Sequence, residues 1–201
     1  MIIGKWNKSV IVTYIGVMFS ILGMYFACTK GIKYAICCLM AAGICDLFDG
    51  RIARSCKRTE EEKKFGVQLD SLADVFNFIA FPIVIFVGAG FINPFLILLY
   101  ILSAICGIAR LAYFNISAEG DAPVRYYQGL PVTYTALILP IVYLLKYVLP
   151  PDLFYMVFPA AMLVISILNV LNIKVPKPKG ASYILFSLLA VFVLVLYLVV
   201  L

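Results

Sequence analysis

The sequence predicts an all-α integral membrane protein, a polytopic helical bundle of about seven transmembrane helices within a range of about six to eight. Three observations lead there. The 201 residues are 65% apolar, with a mean hydropathy of +1.08, whereas soluble domains are nearer half apolar. The apolar residues fall into segments of membrane-spanning length separated by short polar stretches. The basic residues collect on alternate ends of those segments. Helices satisfy their own backbone groups in lipid, so the spans themselves form the domain, and 1–201 reads as a single transmembrane unit.

Taken in order, residues 1–9 hold Lys5, Trp6 and Lys8, an interfacial lead-in. Val10 to Ala27 is the first span, without a small-residue cleavage site, so it is expected to be retained. Thr29 to Lys33 is a turn, and Tyr34 to about Gly50 the second span. Arg51 to Phe65 is a charged loop or helical extension, then Val67 to Val87 is the third span. Gly88 to Asn93 is a turn before the fourth, Pro94 to Asn115. A polar loop, 116–129, leads to the fifth, Leu130 to Leu149. Pro150, Pro151 and Asp152 break the chain before the sixth, Leu153 to Ile173. The stretch Lys174 to Lys179 precedes the seventh, Ala181 to Leu201.

With the N-terminus in the cytosol, every basic residue except Lys30, Lys33 and Lys146 lies on the cytosolic side. That asymmetry sets a multi-pass orientation in the cell membrane, with the end of span two and the start of span three facing the cytoplasm. The six cysteines (28, 37, 38, 45, 56 and 106) show no zinc-type pairing and read as packing residues. Histidine is absent, which excludes a histidine base or ligand. The net charge of +6 suits an anionic membrane, and without a soluble basic domain nucleic-acid binding has no support.

Four aspartates stand out in a chain that otherwise avoids acids. On a helix, positions 46, 49, 50, 53 and 54 fall within an arc of about 140°. Gly66, Asp70 and Asp74 are spaced four apart and share one face of a second helix. If the faces meet, four carboxylates converge beside Gly50, Ala53 and Gly66. One aspartate near a span end would be an interfacial residue; four on two stripes repel one another unless a cation relieves them. Hard oxygen donors favour Mg2+ or Mn2+, one ion or two.

The pattern Asp46-x2-Asp49-Gly50-x2-Ala53-Arg54, then Gly66-x3-Asp70-x3-Asp74, resembles the signature of the CDP-alcohol phosphotransferases at every fixed position. One departure is a longer spacer, eleven residues between Arg54 and Gly66, whose charged residues suggest a longer surface loop or an extra helical turn. The resemblance implies that Asp46, Asp49, Asp70 and Asp74 bind the metals and that Asp74 is also the general base. It implies a CDP site lined by Asp46, Asp49, Gly50, Ala53, Arg54, Gly66 and Asp70. It further implies a CDP-lipid donor, CMP as product and a homodimer.

A second stretch, Arg110-Leu-Ala-Tyr-Phe-Asn115 with Gly129-Leu-Pro131 downstream, is similar to the phosphatidylserine synthase branch. That branch implies L-serine as acceptor and an acceptor-side region over 107–133. Arg110 sits within an apolar helix, and binding an anionic group, serine carboxylate or lipid phosphate, is its expected role against simple snorkelling. Asn115, Arg125 and Gln128 are weaker candidates, and Gly129-Leu-Pro131 reads as a shaping turn. The alternatives are a sibling transferase acting on glycerol phosphate or inositol phosphate, which would want a more basic pocket, and a divalent-cation transporter. No acid lies deeper than Asp74, which argues against transport.

Overall fold

A computed structural model describes residues 4–29, 31–117, 126–177 and 181–199. Among them run seven helices: α1 (Lys8–Cys28), α2 (Ile32–Ser55), α3 (Glu60–Gly88), α4 (Pro94–Ser117), α5 (Val132–Tyr147), α6 (Pro151–Val170) and α7 (Ala181–Val199). The expected all-α polytopic bundle is the observed architecture. Val10–Cys28, Glu60–Gly88, Pro94–Ser117 and Pro151–Val170 are long and apolar enough to cross a membrane. Val132–Tyr147 and Tyr183–Val199 are shorter apolar stretches. Helix α2 has 24 residues, but Asp46, Asp49, Arg51 and Arg54 break the apolar character of its second half.

The charged segment after Gly50 is mostly helix. Helix α2 continues to Ser55, and α3 starts at Glu60, seven residues before the expected third span. A capping box fixes that start: the Thr59 N–H donates to Glu62 Oε2 at 2.8 Å, and the Glu62 N–H donates to Thr59 Oγ1 at 3.2 Å. Lys5 Nζ meets Glu61 Oε2 at 2.7 Å, tying the N-terminal lead-in to this turn.

Within α3, Val75–Ala80 is wound as π-helix, and the Phe81 N–H donates to Phe76 O. Pro82 follows at once and has no N–H to give to the preceding turn, so the wider winding absorbs the missing bond. The far end of the bundle is an aromatic core. Phe86 and Phe158 stack at 4.1 Å, Phe91, Tyr143 and Phe154 pack around them, and the Tyr100 hydroxyl donates to Phe91 O at 2.6 Å. Phe86 lies on α3 about four turns beyond Asp70, so this aromatic core leaves the other end of the bundle for polar groups.

Two stretches expected to be loop pair instead as a ribbon. Strand β1 (Tyr126–Gln128) runs antiparallel to β2 (Lys174–Pro176), with Tyr127 opposite Val175. The Gly129 N–H extends the pairing to Ile173 O, and the Leu130 N–H donates to Leu168 O, both at 2.9 Å. Gly129 has φ of +73°, and a Cβ there would lie 2.3 Å from Asn169 O. The turn shape expected of Gly129-Leu-Pro131 therefore has a steric cause. Gly129→Ala is expected to cost about 1–3 kcal/mol, read as a lowered thermal midpoint in detergent; an unchanged midpoint would contradict the close approach.

Candidate functional site

Helices α2 and α3 bring the two acidic stripes face to face. One carboxylate oxygen each from Asp46, Asp49 and Asp70 lie within 4.8 Å of one another. Asp74 joins them, its carboxyl within hydrogen-bonding reach of Asp46. Asp49 and Asp74 are 8% and 7% exposed, so these charges are largely shielded from solvent. From α1, Thr13 Oγ1 donates to Asp49 Oδ2 at 3.3 Å. All four carboxylates line one small cavity of about 10 Å3, shared with Thr13, Cys45 and Asn77. That is the volume of about one water-sized sphere, and hard oxygen donors around such a space suit a divalent cation.

A second cavity, of about 190 Å3, adjoins the first through Asp49 and Asp70. Gly50, Ala53, Arg54 and Gly66 line it, as the motif spacing suggests, and so does Arg58. A Cβ on Gly50 would come 3.6 Å from Arg54 Nη1, and one on Gly66 would come 3.4 Å from Arg58 Nη1. The guanidinium groups therefore lie close over the glycine backbone. Arg58 Nε is buried without a hydrogen-bond partner. The longer spacer thus has a structural outcome: the turn between α2 and α3 returns Arg58 to the cavity before Thr59 caps the next helix.

Arg110 of α4 is 6% exposed, and its Nε has no hydrogen-bond partner. It does not snorkel to the surface. Its guanidinium lies 5.1 Å from the Phe114 ring and 5.9 Å from the Tyr127 ring, and its charge acts on Asp74 and Asp46. Lys177, just after β2, stands 5.4 Å from the same Tyr127 ring. Burial pushes the Tyr127 hydroxyl above its ordinary range, so it stays protonated at neutral pH.

Of the remaining acceptor-side candidates, Asn115 and Gln128 lie apart from each other. Asn115 Nδ2 donates to Ser71 Oγ at 2.8 Å, and the Ser71 hydroxyl returns a bond to Asn115 Oδ1 at 3.0 Å, which ties α4 to α3. Gln128 is exposed on the ribbon, paired with Lys174 in register, and lines neither cavity. Arg125 lies outside the described residues. Sequence reasoning missed Thr13, Arg58, Asn77 and Tyr127. Only Arg58 carried a signal, its place beside the motif, and it was absorbed into a run of charges.

Residues 6–171 match the CDP-alcohol phosphatidyltransferase family. The chain is similar to the CDP-diacylglycerol–serine O-phosphatidyltransferase of Helicobacter pylori strain 26695, 30% identical over 83% of this chain and 70% of that protein. The Saccharomyces cerevisiae protein of the same name is 35% identical over 52% of this chain. The archaetidylserine synthase of Methanothermobacter thermautotrophicus is 32% identical over 73% of it. The chain spans 40% of the yeast relative's length and 60% of the archaeal one's.

The ring contacts around Arg110 make a separable prediction. Tyr127→Leu is expected to lower stability by about 1–2 kcal/mol, because a buried guanidinium loses an aromatic partner, while Tyr127→Phe keeps most of it. Thermal unfolding of the two variants side by side checks this; equal losses would assign the effect to the hydroxyl instead.

Proposed function

Since the chain belongs to the CDP-alcohol phosphatidyltransferase family, we propose that it transfers a phosphatidyl or archaetidyl group from a CDP-lipid to L-serine and releases CMP. The observation that carries this reading is the joining of two spaces. A cavity lined by four carboxylates adjoins, at Asp49 and Asp70, a larger one lined by two arginines close to glycine. One suits divalent ions and the other suits a nucleotide carrying a pyrophosphate.

The chain's own residues have these roles in the proposal. Asp46, Asp49, Asp70 and Asp74 hold two ions, Mg2+ or Mn2+. Such ions, when bound, neutralise the pyrophosphate and stabilise the leaving CMP. Gly50, Ala53 and Gly66 let the nucleotide approach the helices closely, and Arg54 and Arg58 take its phosphates. Asp74 accepts the proton of the serine hydroxyl as its oxygen attacks the lipid-side phosphorus. A bond forms there, the bond from that phosphorus to the CMP oxygen breaks, and CMP leaves. Arg110 holds an anionic group, the serine carboxylate or the lipid phosphate; among the described residues no carboxylate lies at ion-pair distance from it.

A mostly apolar groove of about 90 Å3 runs from Asp46 between α2, α5 and α7, past Tyr134 and Phe186, and suits a lipid tail. Helix α7 lies beyond the matched residues, yet it braces the motif helix. The Tyr183 hydroxyl donates to Leu47 O at 2.8 Å, and the Arg51 guanidinium lies 3.8 Å from the Tyr183 ring.

The choice of serine rests on the names of the relatives and on the resemblance of the Arg110–Asn115 and Gly129–Pro131 stretches to the phosphatidylserine synthase branch. Counting bases does not separate it from a phosphorylated polyol, because Lys177 comes back to Tyr127 beside Arg110. The positive-inside bias supports a site facing the cytoplasm in the cell membrane, with the N-terminus on that side. The homodimer is carried by the family resemblance alone.

The test is CMP release from a CDP-lipid by the purified chain with Mg2+ or Mn2+, offering serine, glycerol 3-phosphate and inositol 1-phosphate separately. Release is expected with serine only, abolished by chelation, and reduced about 10²–10⁴-fold by Asp74→Asn. Release with a phosphorylated polyol would overturn the acceptor; release that survives Asp74→Asn unchanged would overturn the base.

A further inference from the structure

The cavity of the four carboxylates has one polar wall that no motif residue supplies. Asn77 lies in the π-helical segment Val75–Ala80, three residues after Asp74, and lines that cavity. It is 4% exposed, and its Oδ1 has no hydrogen-bond partner. Its Nδ2 is directed near Gly16 of α1, where a Cβ would stand 3.4 Å away. A buried amide oxygen left without a donor is costly, and native structures rarely keep one without a use. The wider π winding sets this side chain in its register, and such windings recur at functional sites.

We propose that Asn77 is a further group of the metal centre, its amide oxygen taking an ion or a water bound to one. The inference rests on the reading of the aspartates as metal ligands and goes beyond it by adding a neutral donor. Four ionised carboxylates balance two divalent cations. A fifth carboxylate would leave the centre anionic before a pyrophosphate arrived. An amide adds a hard oxygen without adding charge. The small space at the cavity's centre admits a water-sized guest, and Mg2+ in particular keeps waters that need acceptors around them. The polar groups that share the cavity with it are the four aspartates, the Thr13 hydroxyl and the Cys45 thiol. The Thr13 hydroxyl already donates to Asp49 and a thiol is a weak donor, so the ion or its water is the strongest remaining source of a donor or positive charge for Oδ1.

Mn2+ binding to the detergent-purified chain, followed by electron paramagnetic resonance without any substrate, tests this apart from activity. Asn77→Leu keeps the branched heavy-atom shape and removes the oxygen, and is expected to weaken Mn2+ binding about 10–100-fold. Asn77→Asp keeps an oxygen and is expected to bind Mn2+ at least as tightly as the parent chain. Metal-free thermal midpoints report folding. If the leucine variant does not fold, Asn77→Ala against Asn77→Asp makes the same comparison. Equal Mn2+ affinity in the parent and the oxygen-free variant overturns the role of Asn77 and leaves the aspartate site standing. Equal losses in the oxygen-free and Asp variants assign Asn77 to packing. A parent chain that binds no Mn2+ overturns the metal reading and this inference together.

Discussion

Like charges forced together at the edge of an apolar bundle are the constraint on which this structure depends. Three carboxylate oxygens within 4.8 Å of one another would repel, if ionised, by roughly 3 kcal/mol per pair at an effective dielectric of about 20. A fold can carry that only if packing holds the helices in place and positive charge is supplied. The packing comes from α1 behind α2, from the capped start of α3, and from the aromatic core that locks the opposite end. Part of the charge comes from Arg110. The rest is left for divalent ions, the type of cofactor its family uses.

The same arrangement explains why the two ends of the bundle differ. At the aromatic end, large rings interlock and hydroxyls such as Tyr100 and Tyr197 are satisfied by backbone carbonyls. At the acidic end, small residues keep space open, and several polar atoms have no partner within the chain, among them Asn77 Oδ1, Arg58 Nε and Arg110 Nε. Those orphaned atoms surround the two joined cavities and Arg110. Under the proposed function, that hydrogen-bonding capacity is kept for phosphates, ions and an acceptor.

Much of this was legible in the sequence because its causes are local. Helical spacing alone puts Asp46 and Asp49 on one stripe and Asp70 and Asp74 on another, and apolar length announces the spans. The start of α3 was legible in principle, since Thr59 and Glu62 have capping-box spacing, but the density of charge around them left a loop and a helical extension both open. Long-range pairings were not legible. The ribbon joins Tyr127 to Val175 across two helices, and no local pattern announces it. Thr13, in a span with no other distinguishing residue, gains meaning only from the crossing of α1 over α2. Asn115 and Gln128 looked like acceptor residues because polar residues near a motif invite that reading. The fold gives one of them a partner on α3 and leaves the other exposed.

The central claim is that the carboxylates of α2 and α3 are a divalent-metal centre. Anomalous scattering from crystals of the chain grown with Mn2+ addresses it most directly. The account predicts strong peaks within about 2–2.5 Å of oxygens from Asp46, Asp49, Asp70 or Asp74. Peaks confined to the surface, or an acidic cavity that stays empty at saturating Mn2+, would contradict it.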